Sequence, residues 1–445
     1  MQSENIAAIS TALSASGVAV IRISGDSPLS IAEKMFVPAG RVAVKDFEPY
    51  KMYVGEINAD GFSDFGLCVY FKGPKSFTGE DVVEFHSHGG IAITRGILDK
   101  ILSLGARLAN NGEFTKRAFL NGKLSLSSAE GLIDMINSES VSGVKAGYSL
   151  YREKLCEKVN KMQDKITDVL AQIDVDMDFP EEDLEQSSTE AVSSALRETI
   201  DEIGGLLSSY RVGRTLVNGV KVGIVGKPNT GKSSILNALL NYDKAIVSDV
   251  AGTTRDIVEG SIDINGIRFN FFDTAGIRES EDKIEALGVG LSKKILLESD
   301  ILLFVIDASC VTEEDQAVYE LIKDKNLLFA VNKTDKSDYK DERADIYVSA
   351  KEKVNIEKLK TLLFDKTIGG GVDLNGDFLC EERHYHALNR AKEKFINALS
   401  AVGMVTLDML AIDVKDGWDA LGEISGRTAT EEIINDIFSK FCVGK

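Results

Sequence analysis

Cysteine is scarce in this chain and does not pair up. The 445 residues hold five, at positions 68, 156, 310, 380 and 442. An odd, scattered set excludes a disulfide framework and fits a reducing cytoplasm. Without a Cys-x-x-Cys or a Cys/His cluster, no zinc site is expected. His86 and His88 lie two apart; a structural or substrate-side role is expected for them, not a metal. No run of 18 or more apolar residues occurs, so no membrane-spanning helix is expected. The N-terminus lacks a basic n-region and a compact apolar stretch. No secretory signal is therefore expected, and a cytoplasmic location is.

Excess positive charge is missing too. The formal net charge is −19. Nucleic-acid binding ordinarily leaves a basic footprint, so here it must be local or supplied by a partner. Residues 1–119 carry 12 Lys and Arg against 13 Asp and Glu, and the remaining residues carry a net −18.

What is present is ordinary globular composition, 44% hydrophobic and 27% charged, in a length that suggests two to four domains. The most informative stretch is Gly226-Lys227-Pro228-Asn229-Thr230-Gly231-Lys232-Ser233, which fits G-x-x-x-x-G-K-[ST]. Val220 to Val225 precedes it as an apolar, β-branched run that reads as a buried strand. Ile235, Leu236, Ala238, Leu239 and Leu240 follow as a helix-forming run. Strand, glycine loop and helix let backbone N–H groups close round phosphate oxygens at a helix N-terminus. Lys232 is expected to reach the β- and γ-phosphates and Ser233 to hold Mg²⁺.

Residues 1–119 read as mixed α/β. Strands are expected at Val18–Ile23, Leu67–Phe71 and Val82–Phe85, and a helix at Ile91–Leu104 with Ile93, Ile97, Ile101 and Leu104 on one side. Arg22 and Glu84 are charges inside apolar strand runs. Each either faces solvent or lines a ligand site, and solvent is the commoner case. From about Asn121 the pattern turns helical. Leu155, Val159, Met162, Ile166, Val169 and Ile173, spaced 4, 3, 4, 3 and 4, form the seam of a bundle helix. An acidic run with Phe179-Pro180 should end it, and a second helix is expected over roughly Thr189–Tyr210. Asn218-Gly219 and Gly369-Gly370-Gly371 bracket a nucleotide domain, after which the chain is helical again. Thr428-x-x-Glu431 reads as a capping box before Ile433, Ile434 and Ile437. The expected architecture is therefore multidomain α/β and all-α. It comprises an N-terminal α/β domain (1–119), a helical domain in two parts (120–214 and 372–445), and an inserted nucleotide domain (215–371).

Four further elements follow the phosphate loop. Ile267–Phe272 is a strand ending in Asp273-Thr274-Ala275-Gly276, where Asp273 would approach Mg²⁺ directly or through water. Gly252-Thr253-Thr254-Arg255-Asp256 offers a switch loop, with Thr254 as a Mg²⁺ ligand. The strand Leu327–Val331 leads into Asn332-Lys333-Thr334-Asp335. A carboxylate at Asp335 can accept both N1–H and N2–H of guanine, and adenine has no such donor pair. Ser349-Ala350-Lys351 would complete the base pocket. Five motifs in order point to GTP. Where many GTPases carry a glutamine after the last glycine of D-x-x-G, this chain has Ile277, which cannot orient water. Something else must offset transition-state charge.

With these residues on the page, the chain resembles the MnmE (TrmE) family of tRNA modification GTPases over essentially its whole length. Ile6–Ser10, Arg22-Ile23-Ser24-Gly25, Ser76–Asp81, His88-Gly89-Gly90 and Gly112–Phe119 carry the likeness. So does the ending Phe441-Cys442-Val443-Gly444-Lys445, which is similar to C-x-G-K. The resemblance implies a homodimer formed through the N-terminal domain, with a tetrahydrofolate derivative (5,10-methylene or 5-formyl form) bound by Arg22, Glu84, Lys123 and Lys445. Cys442 would lie nearby, or be a buried structural thiol. It implies a K⁺-dependent GTPase activated by G-domain dimerisation, with K⁺ held by Asn229, Ser248, Val250 and Thr253. Glu285, twelve residues after Asp273, would act through water on the nucleophile, with Lys232 and Thr254 completing the catalytic set. The nucleotide site would extend over Asn229, Thr230, Gly231, Ser233 and Ser234, and over Ser248, Asp249, Val250, Ala251, Gly252 and Thr253. Thr274, Ala275 and Gly276 would line it too, with Asn332, Lys333, Asp335, Ser349, Ala350 and Lys351. The implied partner is the FAD-dependent protein MnmG (GidA), acting with it on tRNA. Together they would add an aminomethyl or carboxymethylaminomethyl group to C5 of the wobble uridine. A ribosome-assembly or regulatory GTPase switch is the alternative, but it has no need of the folate motifs.

Overall fold

The computed structural model describes residues 4–178, 185–240, 260–273, 293–369 and 378–444. The chain divides into two compact units. One comprises Met1–Ile133, Leu150–Ile200 and Arg390–Lys445, the other Asp134–Ser149 and Asp201–Asn389.

The first unit is built on a seven-stranded sheet. Its strands are β1 (Ile6–Ile9), β2 (Ser16–Gly25), β3 (Phe36–Pro38), β4 (Met52–Ala59), β5 (Phe62–Phe71), β6 (Asp81–Gly89) and β7 (Arg107–Leu108). They lie in the order β3-β4-β5-β6-β2-β1-β7. All neighbours are antiparallel except β1 and β7. Alternation decides the two faces. Ile21, Ile23, Val83 and Phe85 point into a core with Ile97 and Ile101 of the helix Ile91–Ser103. Arg22 and Glu84 are therefore left on the opposite face, and the register sets them side by side across β2 and β6.

The helical part of this unit follows the expected seam. Leu155, Val159, Met162, Ile166, Val169 and Ile173 of the helix Lys154–Asp178 are all buried, against the helix Leu407–Ser425. Gln163 Nε2 donates to Trp418 O at 3.0 Å, and the Trp418 indole N–H donates to Thr167 Oγ1 at 3.0 Å. The predicted capping box is displaced. Thr430 caps the helix Glu431–Ser439, accepting from Ile433 N, whereas Thr428 donates its hydroxyl to Asp419 O. The second expected helix spans Glu185–Ser208, and a further one, Tyr210–Asn218, follows it.

The second unit holds β8 (Val220–Val225), β9 (Gly260–Ile264), β10 (Ile267–Asp273), β11 (Ile301–Asp307), β12 (Leu327–Asn332) and β13 (Ile346–Tyr347), in the order β13-β12-β11-β8-β10-β9. The sheet is parallel except for β9, an antiparallel edge strand that no motif announced. β11 reads as an apolar run up to Asp307, and β8 is interrupted only at half-buried Lys221, because the central strands of a parallel sheet are covered on both faces. Residues 134–149, helical in pattern, group with this unit. Ser142 N donates to Gly266 O at 3.2 Å, and Glu139 pairs with Arg268 beside the β9–β10 turn.

Candidate nucleotide site and a half-buried charge pair

The phosphate loop leaves the C-terminal end of β8 at the centre of its sheet, where open α/β sheets bind ligands. Its backbone conformation explains the residue choice. Gly231 has φ +94°, and a Cβ there would lie 2.3 Å from Asn332 Nδ2. A Cβ at Gly226 would lie 2.2 Å from Val305 O. These are places only glycine fills, and the cradle suits a phosphate. Lys232 is almost wholly buried, with Nζ 2.9 Å from Gly226 O and 2.8 Å from Lys227 O. The ammonium thus sits over the loop it is expected to serve. Asn229 is exposed with φ +66°, a conformation that asparagine tolerates better than most residues.

The segment expected to read guanine is tied to this loop. Asn332, buried at the end of β12, donates Nδ2–H to Thr230 O at 2.9 Å and accepts from Ala350 N at 3.2 Å. One side chain thereby joins the phosphate loop, the base loop and the Ser349-Ala350-Lys351 segment. Lys333 Nζ donates to Asn229 O at 2.7 Å and pairs with Asp307 at 2.6 Å. Ser349 donates to Asp335 Oδ1 at 2.6 Å, and that bond holds the Asp335 carboxyl below its ordinary value. Asp335 is thus held in the acceptor form that the expected guanine contact calls for. Lys351 is exposed and pairs with Glu352 at 3.1 Å.

Two participants were not anticipated. Asp307 ends β11, and burial pushes its carboxyl up, but bonds from Lys333 and Ser309 outweigh this and hold it low. Lys227 turns away from the phosphate position into a buried ion pair with Asp315 at 2.7 Å and a bond to Thr312 Oγ1 at 2.6 Å. Thr312 and Asp315 form the capping box of the helix Glu313–Ile322. The T-x-x-D spacing was a legible signal for that cap.

The structure also brings Arg22 and Glu84 together, which corrects the expectation that each faces solvent. Arg22 Nε donates to Glu84 Oε1 at 2.7 Å. His86 Nε2 lies 3.4 Å from Glu84 Oε2. The guanidinium lies 5.5 Å from the Phe77 ring centroid and 5.7 Å from that of Phe114. Burial pushes the Glu84 carboxyl up, but His86 and the Arg22 charge together hold it below its usual value. Lys123 Nζ donates to Pro74 O at 2.9 Å, beside the loop that carries Phe77. The C-terminal segment returns to the same sheet: Val443 bridges Asn111, and Gly444, at φ +98°, abuts the Ile9 carbonyl. Ile9 follows Ala8, the β1 partner of Arg22. Cys442 is exposed, so the buried-thiol alternative is set aside.

Ser248, Asp249, Val250, Ala251, Gly252, Thr253, Thr254, Thr274, Ala275, Gly276, Glu285 and Lys445 lie outside the described residues, as does the Asp273 side chain. Among the described residues no helix is long and apolar enough to cross a membrane.

Comparisons with known proteins agree with the geometry. Residues 5–123 match the family described as the GTP-binding protein TrmE N-terminus, and residues 126–442 match the MnmE helical domain. The chain is 40% identical to a tRNA modification GTPase MnmE of Desulforamulus reducens over 461 residues, covering 100% of both. It is 37% identical to one of Clostridioides difficile, covering 99% of both. Among solved structures, an Aquifex aeolicus Era variant bound to GDP·AlF4⁻ is 28% identical over 39% of this chain and 66% of that one. Its TM-score is 0.26, too low to carry an argument.

Proposed function

The chain belongs to the MnmE family of tRNA modification GTPases, and on that premise we propose how its two sites divide the work. The nucleotide unit hydrolyses GTP. The site around Arg22 and Glu84 binds a tetrahydrofolate derivative as one-carbon donor. With the flavoprotein MnmG as partner, the protein installs an aminomethyl-type group on C5 of the wobble uridine. The observation that carries this reading is the Arg22–Glu84 pair. It is a charge pair beside two aromatic rings, 5.5 and 5.7 Å from the guanidinium, at the edge of the small second core that Ile6, Ala8 and Phe114 form on this side of the sheet. A planar heterocycle with N–H donors and a carboxylate tail finds the half-buried Phe77 ring, an acceptor and a cation there. A pure nucleotide switch has no use for such a site.

In the same reading the N-terminal domain forms the homodimer, and the protein works in the cytoplasm. Ser233, Thr254 and Asp273, the last directly or through water, would hold Mg²⁺. Asn229, Ser248, Val250 and Thr253 would hold K⁺, which would supply positive charge near the phosphates in place of an arginine finger. Glu285 orients the attacking water, the task Ile277 cannot perform.

The test is deletion of the gene followed by nucleoside mass spectrometry of tRNA. Loss of the modified wobble uridine is expected, and unchanged levels would overturn the proposal. Arg22→Ala should abolish folate binding and leave GTP hydrolysis intact. K⁺ should accelerate hydrolysis well above Na⁺, and Glu285→Ala should abolish it; equal rates in the two salts would remove the cation from the mechanism.

A further inference from the structure

His88 lies on β6 two residues beyond His86 and four beyond Glu84. Strand alternation is regular here: Val83, Phe85, Ser87 and Gly89 are buried, whereas Glu84 and His86 are half-buried and His88 is exposed. By alternation the three titratable residues lie on one side of β6, whereas Asp64, laddered with Ile57, belongs to the core side and reaches His88 near the end of the strand. His88 differs from the other two in its partner. Asp64 of β5 is buried, 9% exposed, yet it spends both carboxylate oxygens on His88. Oδ2 accepts from the His88 backbone N–H at 2.8 Å, and Oδ1 lies 2.6 Å from Nδ1. The imidazole itself is 66% exposed.

This arrangement dictates the tautomer. A carboxylate can only accept, so Nδ1 must carry the proton. Nε2 is then the ring nitrogen left to meet other partners, and in the neutral ring it is the one that can accept a proton. The backbone bond to Oδ2 fixes the carboxylate so that it cannot rotate to release the ring. A buried acid holding an exposed imidazole by Nδ1–H is the geometry of proton-transfer dyads on unrelated folds. A histidine serving only to pack would bury its ring, not its acid.

We propose that Asp64 and His88 form a proton-transfer dyad near the end of β6. His88 Nε2 acts as general base toward an amine that must lose a proton to become a nucleophile. The N–H bond of the protonated amine breaks and the Nε2–H bond forms. The electron pair stays on the amine nitrogen, and the new imidazolium charge is held by the Asp64 carboxylate. The proton later returns to a leaving nitrogen or to water. The ionisable groups on this side include Glu84 and His86 on β6 and Arg22 on β2, engaged with one another, and Glu80, which bonds Ser24 of β2 and pairs with Arg117. The dyad deepens the one-carbon reading above and rests on it.

The experiment uses the full-length chain expressed in the deletion strain. His88→Asn keeps an N–H donor for Asp64 and removes Nε2. Modified wobble uridine formation should slow at least about 100-fold, the scale of general-base loss. GTP hydrolysis and affinity for 5-formyltetrahydrofolate should stay within about two-fold. Asp64→Asn offers one acceptor where two donors need one. Its amide N–H₂ turned to the ring makes Nδ1 the acceptor and moves the proton to Nε2. Imidazole ¹⁵N NMR should then show Nδ1–H in the parent protein and Nε2–H in the variant, with a comparable loss of modification. Modification at the parent rate in His88→Asn overturns the dyad alone. A parallel loss of folate affinity or thermal stability assigns His88 to binding or folding and overturns it too. Unchanged modification on deletion of the gene overturns the one-carbon reading, and the dyad with it.

Discussion

Asn332→Ala tests the central joint of the nucleotide site. The side chain is 1% exposed and makes two bonds, one to the Thr230 carbonyl at 2.9 Å and one from Ala350 N–H at 3.2 Å. Truncation leaves two backbone groups without partners in a place water reaches poorly. Each unpaired buried group costs about 1–3 kcal/mol, so the pair costs about 2–6 kcal/mol. The cost is shared between folding and binding. If the empty loop relaxes, it must be re-ordered by the nucleotide, and 2 kcal/mol then appears as about a thirty-fold weaker affinity. If the loop stays in place, the same 2 kcal/mol appears as a thermal midpoint lower by about 4–8 °C. Titration with fluorescent GDP and thermal melts with and without GDP measure both shares. Asn332→Asp is the control. It keeps the acceptor for Ala350 but turns a carboxylate oxygen on the Thr230 carbonyl, so it should lose at least as much. GDP affinity within about three-fold and a midpoint within about 1 °C for both variants would refute the joint, since both figures lie below the predicted scale.

Three further outcomes follow from the same geometry. Lys227→Met leaves buried Asp315 without its cation and should cost about 3–5 kcal/mol in urea unfolding, whereas Lys227→Met with Asp315→Leu should recover most of it, less about 1 kcal/mol for the lost helix cap. The Glu84 carboxyl is held below its ordinary value of 4.5, so its pairing contributes stability that is complete above that pH and lost as pH falls through the folded value. Urea midpoints should accordingly fall more steeply with acid in the parent protein than in Glu84→Gln. Gly444→Ala places a Cβ 2.1 Å from the Ile9 carbonyl at a φ of +98°, so the C-terminal segment should lift from the sheet. Folate binding should weaken with GTP hydrolysis unchanged, and equal folate affinity would show that the tail has no part in the site.

Legibility differed between the sites for a physical reason. The nucleotide site was readable because its parts are local. Strand, loop and helix follow one another within Val220–Leu240, and each motif lies at the end of an apolar run that a buried parallel strand requires. The Arg22–Glu84 site was readable only as oddities. Arg22 and Glu84 each stood as a charge inside a strand, and solvent was the expected partner. Their pairing depends on the register between β2 and β6, strands 62 residues apart at these positions. Similarly, Thr428 lost its expected capping role to Thr430 because its hydroxyl has a closer acceptor in Asp419 O.

By itself, then, the amino-acid sequence determined the phosphate loop, the choice of guanine and the bundle seam at Leu155–Ile173. All three rest on short-range order: backbone freedom at two glycines, a carboxylate after a strand, and helical periodicity. Tertiary structure alone decided that Lys227 leaves the phosphate for Asp315, that Arg22 answers Glu84, and that buried Asp64 holds exposed His88 by Nδ1. Each of these needs strands or loops far apart in the chain to meet in one register, and a charge shows its partner only once that register exists.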